Sequence, residues 1–248
     1  MNDPAVIFDM DGVLVDSYRA HFQSWQTMAA EAGLALTEAE FAAQFGRTNP
    51  EIIAVYWGED RHSDAEIAAM ADRKEEVFRE ILRADFPAMP GVEELLRALD
   101  EAGFALAVGS SGPPENIELV LGKLAAGSRF RAVVTAQDVT RGKPDPQVFL
   151  LAAERLGVPA GRCAVVEDAA AGIAAARAAG MTAIGLASTG HTRASLAAAD
   201  LVVDSLAELS PDRCAHLISA NRPSRPSKTP VPRGGRTNSP ASPDDGLG

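Results

Sequence analysis

Short apolar runs recur along the chain at residues 5–8, 104–109, 132–135, 163–166, 182–186 and 201–203. Each is nearly continuous rather than alternating, the pattern of a strand buried on both faces of a sheet. Between most of them lie amphipathic stretches with helical spacing, such as PGVEELLRALDEAG and DPQVFLLAAERLG. In the second, Asp145 is placed to cap a helix, Pro146 suits its first position and Gly157 its end. Apolar strands separated by helices predict an α/β fold, a doubly wound parallel sheet with helices on both faces.

The span from Ser17 to about Pro87 breaks this rhythm, with several helical patterns and no convincing strand. A connection of about 70 residues is far longer than an ordinary crossover loop of roughly 2–6. It predicts a separate α-helical cap at 17–87, inserted into a core made of 1–16 and 88–210. From about Asn221 the composition turns to Pro, Ser, Gly and Arg with almost no aliphatic residues. Such a segment buries too little apolar surface to offset its ordering entropy, so 211–248 is assigned to a disordered tail.

Hydrophobic residues make up 46% of the 248, enough to fill a sizeable core, as expected of a soluble globular protein. The net charge of -11 argues against nucleic acid or an anionic membrane as the main partner. No apolar run reaches membrane-spanning length, and no secretory leader pattern is present. Cys163 and Cys214 lack metal-ligand spacing, and Cys163 sits in an apolar run. Two buried, reduced thiols are expected, which suits a cytoplasmic protein, and a monomer is the expected state.

The candidate chemistry gathers where the strands end. FDMDGVLVDS sets Asp9, Asp11 and Asp16 just after the first apolar run. Ser110 and Ser111 in LAVGSSG follow the second run, Lys143 in RGKPDP lies after the third, and Glu167 and Asp168 in CAVVEDAAAG follow the fourth. Ligands of open parallel sheets bind beyond the carboxyl ends of the strands, so these groups would share one edge. Taken singly, each is an ordinary turn former, helix cap or solvated loop charge. Together they make a chemical set. Grouped carboxylates stay ionised beside a divalent cation, and an all-oxygen site suits Mg²⁺. A carboxylate can attack phosphorus, while Lys143, Ser110 and backbone amides supply donors for a phosphoryl group. Asp11 can move the proton, and Gly12 lets the backbone turn sharply around the site.

These motifs resemble the haloacid dehalogenase superfamily, in the branch with an α-helical cap that includes beta-phosphoglucomutases and phosphoglycolate phosphatases. FDMDGVLVDS, Ser110, Lys143 in GKPDP and VVEDAAAGI match its four motifs in order, over roughly residues 5 to 209. The resemblance implies that Asp9 is the nucleophile and Asp11 the general acid/base. It implies that Ser110, Ser111 and Lys143 hold the phosphoryl group. Mg²⁺ would be bound by Asp9, the Asp11 backbone carbonyl, Asp168 and Glu167. The partner would be a small phosphorylated metabolite.

The cap bears on the substrate. In DAEIAAMADRKEEVFREIL, Ile67, Met70, Val77, Phe78 and Ile81 form a helical stripe with Lys74 in register. A lysine there either snorkels from the apolar edge or points across the cleft, and it resembles the cap lysine of beta-phosphoglucomutases. His21 and Trp25 lie one turn apart on an apolar face. As a packed pair they would be structural; as a His-x-x-x-Trp pair they resemble the mutases' linker region and imply substrate contact. Two departures favour a phosphatase over a mutase. Asn49 stands where the mutases carry a cap arginine, with Arg47 two residues earlier, and Gly112, Pro113 and Pro114 replace their phosphate donors. The expected function is therefore a Mg²⁺-dependent phosphatase of a small phosphorylated metabolite, a sugar phosphate in the first instance, with a phosphohexomutase as the alternative. A receiver-type signalling module fits poorly with the inserted cap and Asp11. A dehalogenase would be encumbered by Asp11, Glu167 and Asp168.

Overall fold

The computed structural model describes residues 3–188 and 190–221. Six strands, β1 (Ala5–Phe8), β2 (Ala105–Gly109), β3 (Phe130–Val134), β4 (Cys163–Glu167), β5 (Thr182–Leu186) and β6 (Leu201–Val203), form one sheet. All are parallel, in the order β3-β2-β1-β4-β5-β6. The direction of winding reverses between β1 and β4, and the crevice at such a reversal is where this class of sheet binds ligands.

Period-two alternation within β1 divides the core into two layers. Val6 and Phe8 point to the layer covered by α5 (Val92–Glu101), α6 (Pro114–Lys123) and α9 (Pro211–Ala220). Ala5 and Ile7 point to the layer of α7 (Gln147–Leu156) and α8 (Ala170–Ala178). Burial on both faces is why the strands read as unbroken apolar runs. Helix α7 ends at Gly157 in the left-handed conformation, as its sequence predicts. Its start differs by one residue: Pro146 occupies the cap position, and the Asp145 carboxylate accepts from the Gln147 N–H at 3.0 Å.

The inserted span holds α1 (Tyr18–Glu31), α2 (Glu38–Gln44), α3 (Asn49–Trp57) and α4 (Asp64–Ala84), with no strand among its residues. Helices α2, α3 and α4 begin on Thr37, Thr48 and Ser63, each with a glutamate three residues on that returns a bond to the cap backbone. Trp25, Met28, Phe41, Ile52 and Ile53 form a small core of their own. Helix α4 is about 30 Å long and serves both units. Its Ile67 and Met70 pack on the small core, while Phe78 and Leu82 join the core of the sheet layer. The two connections pair with each other: Asp16 N–H donates to Pro87 O at 2.9 Å and Met89 N–H to Leu14 O at 3.1 Å.

The assignment of 211–248 to a disordered tail requires correction at its start. Residues 211–220 form α9, which begins with Pro211 after a capping Ser210 and buries Cys214 and Ile218 in the core. Composition across the whole segment masked a short amphipathic helix. The remainder, 222–248, lies outside the described residues. Cys163 and Cys214 are both buried and unpaired, and burial pushes the thiols up, to about 12 and about 11. Among the described residues no helix is long and apolar enough to cross a membrane.

Candidate active site

Asp9 directly follows β1, its N–H held by Val166 O of β4 at 3.0 Å. The carboxylates of Asp9, Glu167 and Asp168 converge at the β1/β4 reversal, with one oxygen of each within 4.8 Å of the others. Lys143 reaches this point from the loop after β3. Its ammonium donates to Asp9 Oδ1 at 2.7 Å and Glu167 Oε1 at 2.6 Å, and lies 4.8 Å from the Phe149 ring centre.

One ammonium does not balance three buried carboxylates. Burial, reinforced by the Glu167 and Asp11 charges, outweighs Lys143 and pushes Asp9 up to about 7. Burial and the charges of Glu167 and Asp9 likewise raise Asp168 well above the ordinary carboxylate range. Burial alone would lower Lys143, but its two carboxylate partners hold it well above the usual lysine range. Three oxygens with excess negative charge in a buried pocket fit a hard divalent cation. Glu167 is the most constrained of the three, because Oε1 accepts from Lys143 and Oε2 from the Ala169 N–H at 2.9 Å. Asp168 Oδ2 accepts from Ser188 Oγ at 2.9 Å.

Close approach of backbone shapes the site. Gly12 has φ +69, and a Cβ there would lie 1.9 Å from Asp168 Oδ2. At Gly172, in the first turn of α8, a Cβ would lie 1.8 Å from Glu167 Oε1. Ser110, 1% exposed, follows β2 and accepts from the Gly112 N–H at 3.0 Å. A Cβ on Gly112 would stand 3.3 Å from Ser110 Oγ and 3.9 Å from Asp11 Oδ2. Gly112 therefore leaves an opening between Ser110 and Asp11. Ser111 is exposed at the start of the same loop.

Asp11 connects the sheet to the cap. Its Oδ1 lies 3.2 Å from His21 Nε2, and His21 Nδ1 lies 2.8 Å from Lys74 Nζ. Burial raises Asp11, but the charge and hydrogen bond of His21, with Lys74 beyond, outweigh it and keep the carboxyl below its ordinary value. His21 stacks on Phe78 at 4.1 Å between ring centres. Lys74 is 2% exposed and donates to Glu75 Oε1 at 2.9 Å, so it turns inward rather than snorkelling to solvent. Trp25 parts company with its helical neighbour His21. It is 1% exposed in the cap core, 5.7 Å from the Lys74 ammonium, and so supports that lysine instead of offering surface to a substrate. Across the cleft, Phe45 of the cap meets His191 of the loop after β5 at 5.5 Å between ring centres.

The structure thus gathers Asp9, Lys143, Glu167 and Asp168 in one cluster and places Ser110 and Asp11 beside Gly112. It links Asp11 to His21 and Lys74, and leaves Trp25 behind them. Sequence reasoning missed Ser188, Gly172, Glu75 and Asn116. The glycine stood in a quoted motif, but the other three carry no local signal, because Asp168 for Ser188, and Asn49 and Asn116 for Glu75, are distant in the chain.

The chain is similar to known proteins over most of its length. A model of haloacid dehalogenase-like hydrolases matches residues 4–180. A beta-phosphoglucomutase of Bacillus subtilis (strain 168) is 33% identical over 211 residues, covering 83% of this chain and 91% of its own. Hexitol phosphatase A of Escherichia coli (strain K12) is 35% identical over 203 residues, covering 82% and 91%. The crystal structure of a HAD hydrolase, family IA, variant 3, from Entamoeba histolytica superposes with a TM-score of 0.80. It shares 28% identity and covers 87% of this chain and 99% of that one. A carboxylate-lined winding reversal, a helical insertion after β1 and similarity running through both place this chain in the haloacid dehalogenase-like hydrolase family.

Proposed function

We propose that the chain is a Mg²⁺-dependent phosphatase of a small phosphorylated metabolite, acting through an aspartyl-phosphate on Asp9. The observation that carries this reading is the buried contact of Lys143 with Asp9 and Glu167, beside a third carboxylate on Asp168. Asp9, Asp168, the Asp11 backbone carbonyl and Glu167 would hold the cation, Glu167 acting chiefly by fixing Lys143, since both its oxygens are engaged. When bound, Mg²⁺ supplies positive charge that favours ionised carboxylates and offsets charge on the phosphoryl oxygens.

The chain's own groups then divide the work. An Asp9 carboxylate oxygen attacks phosphorus, the P–O bond to the organic part breaks, and the leaving oxygen takes a proton from Asp11. Lys143 and Ser110 hold the phosphoryl oxygens. Asp11 is ionised in the resting site; the dianionic phosphate arriving beside it favours uptake of one proton from solvent, which gives the protonated form the first step needs. Water next attacks the aspartyl-phosphate and gives a proton to Asp11. The bond to Asp9 breaks and inorganic phosphate departs. His21 orients Asp11, and the cap excludes bulk water during the first transfer.

Relatives bearing both mutase and phosphatase names keep a phosphohexomutase as the second reading. The test is a phosphate-release screen over sugar and polyol phosphates, phosphoglycolate and nucleotides, with and without chelator. Conversion of beta-glucose 1-phosphate to the 6-phosphate is followed separately. Chelator-sensitive phosphate release that vanishes in Asp9→Asn is expected. Retained activity in that variant would remove the nucleophile, and isomer formed faster than free phosphate would favour the mutase.

A further inference from the structure

Asn116 carries an amide buried where the cap meets the core, and the cap takes both halves of it. It lies near the start of α6, just beyond the loop that carries Ser110, and is 1% exposed. Its Nδ2 donates to Glu75 Oε2 at 2.7 Å, and its Oδ1 accepts from Arg79 Nη1 at 2.9 Å. A carboxylate can only accept and a guanidinium can only donate, so the amide is held in one orientation. Glu75 and Arg79 stand at i and i+4 of α4, which puts them on one face of that helix. None of the three has a part in the chemistry above.

The bonds continue beyond Glu75. Its Oε1 accepts from Lys74 Nζ at 2.9 Å and from Asn49 Nδ2 at 2.8 Å. Lys74 Nζ lies 2.8 Å from His21 Nδ1, and His21 Nε2 lies 3.2 Å from Asp11 Oδ1. An ammonium only donates, so His21 Nδ1 accepts and Nε2 carries the proton offered to Asp11. The run therefore starts on the core at Asn116, crosses the cap through Glu75, Lys74 and His21, and returns to the core at Asp11.

Helix α4 carries Lys74, Glu75 and Arg79 together, so a cap that moved off α6 would break both Asn116 bonds and draw Lys74 away from its present place. Water would then hydrate the freed amide, carboxylate and guanidinium. Hydrogen bonds exchanged for hydration carry only a modest net advantage, which suits a contact made and released in each turnover.

We propose that Asn116 is a positioning residue for the general acid: by gripping Glu75 and Arg79 it docks α4 on the core in the register that aligns His21 with Asp11, so proton delivery to the leaving oxygen depends on a seated cap. The inference rests on the proposed role of Asp11 and adds the core residue that couples this role to the position of the cap.

Leaving groups separate positioning from packing. p-Nitrophenolate departs from phosphorus as a stabilised anion, whereas phenolate is a poorer leaving group and gains more from a proton. The two phosphates have nearly the same shape, and kcat/KM compares them through the first transfer alone. Asn116→Leu is expected to lower kcat/KM for phenyl phosphate about 10-fold more than for p-nitrophenyl phosphate. Asn116→Asp turns a carboxylate on Glu75 and should do the same. Adding Glu75→Gln to it reverses donor and acceptor, and should restore most of the wild-type ratio. Equal losses for the two esters, or an unchanged ratio, would overturn the proposal and assign Asn116 to cap packing. A double variant no better than Asn116→Asp would overturn it as well, and this second series decides the matter even where Asn116→Leu fails to fold. Asp11→Asn calibrates the assay: equal losses there would remove the acid role of Asp11, and the proposal with it.

Discussion

Gly172→Ala sets two physical effects against each other. Gly172 lies within α8, where alanine is favoured over glycine by about 1 kcal/mol, so helix propensity alone predicts a more stable protein. The added Cβ would lie 1.8 Å from Glu167 Oε1, 2.0 Å from its Cδ and 2.6 Å from its Cγ. Contacts that short require the whole Glu167 side chain to move. It then leaves the Lys143 ammonium at 2.6 Å and the Ala169 N–H at 2.9 Å. Each hydrogen bond to a charged group contributes roughly 1.5–3 kcal/mol, so losing both costs about 3–6 kcal/mol. Subtracting the propensity gain leaves a net loss of about 2–5 kcal/mol, or roughly 4–20 °C in Tm for a chain of this size. Urea unfolding monitored by circular dichroism measures the stability. Phosphate release measures the second consequence, a fall in kcat/KM of about 100-fold or more as Lys143 loses one of its two anchors. A variant as stable and as active as the wild type would refute the close-approach reasoning, because propensity would then have decided the outcome.

Two further outcomes follow from the site and the core. In metal-free protein, Asp9 titrates at about 7, against 3.8 unfolded, so the folded state binds the extra proton between those values. Its contribution to stability is therefore present below about pH 4 and is lost as pH rises toward 7. Mg²⁺, which favours the ionised group, should raise Tm more at pH 8 than at pH 5; an equal rise, followed by scanning calorimetry, would count against Asp9 as a ligand. Truncation after residue 210 removes the buried Cys214 and Ile218 and should cost on the order of 3–5 kcal/mol, measured by urea unfolding. Truncation after 221 leaves those side chains in place and should avoid that loss.

Much of the fold was legible because it rests on local periodicity. Strands buried on both faces must be apolar throughout, and each predicted run coincides with a strand to within about two residues. The helical insertion was visible as a gap in that rhythm, whereas its helix starts at Thr37, Thr48 and Ser63 were found only in the structure. The start of α7 was misplaced by one residue because Asp145 reaches the Gln147 N–H from outside the helix. Helix α9 was missed because the composition of a long polar segment outweighed the few apolar residues that bury it.

Where the site was concerned, residue type and strand-end placement sufficed to nominate Asp9, Asp11, Ser110, Lys143, Glu167 and Asp168. They did not suffice for the cap. Helical spacing put His21 and Trp25 on one face, but packing turned the first toward Asp11 and set the second inside the cap core. Glu75 carries no sequence signal, yet Asn49, Lys74 and Asn116 close around it.

By itself, then, the sequence determined which segments become strands and helices and which reactive groups stand at their ends, since both follow from interactions a few residues apart. Only the tertiary structure decided which charges face one another. Lys143 meets Asp9 across 134 positions, and Glu75 meets Asn116 across 41. Such pairings are set by how a buried sheet and its cap exclude water, and no local pattern encodes that exclusion.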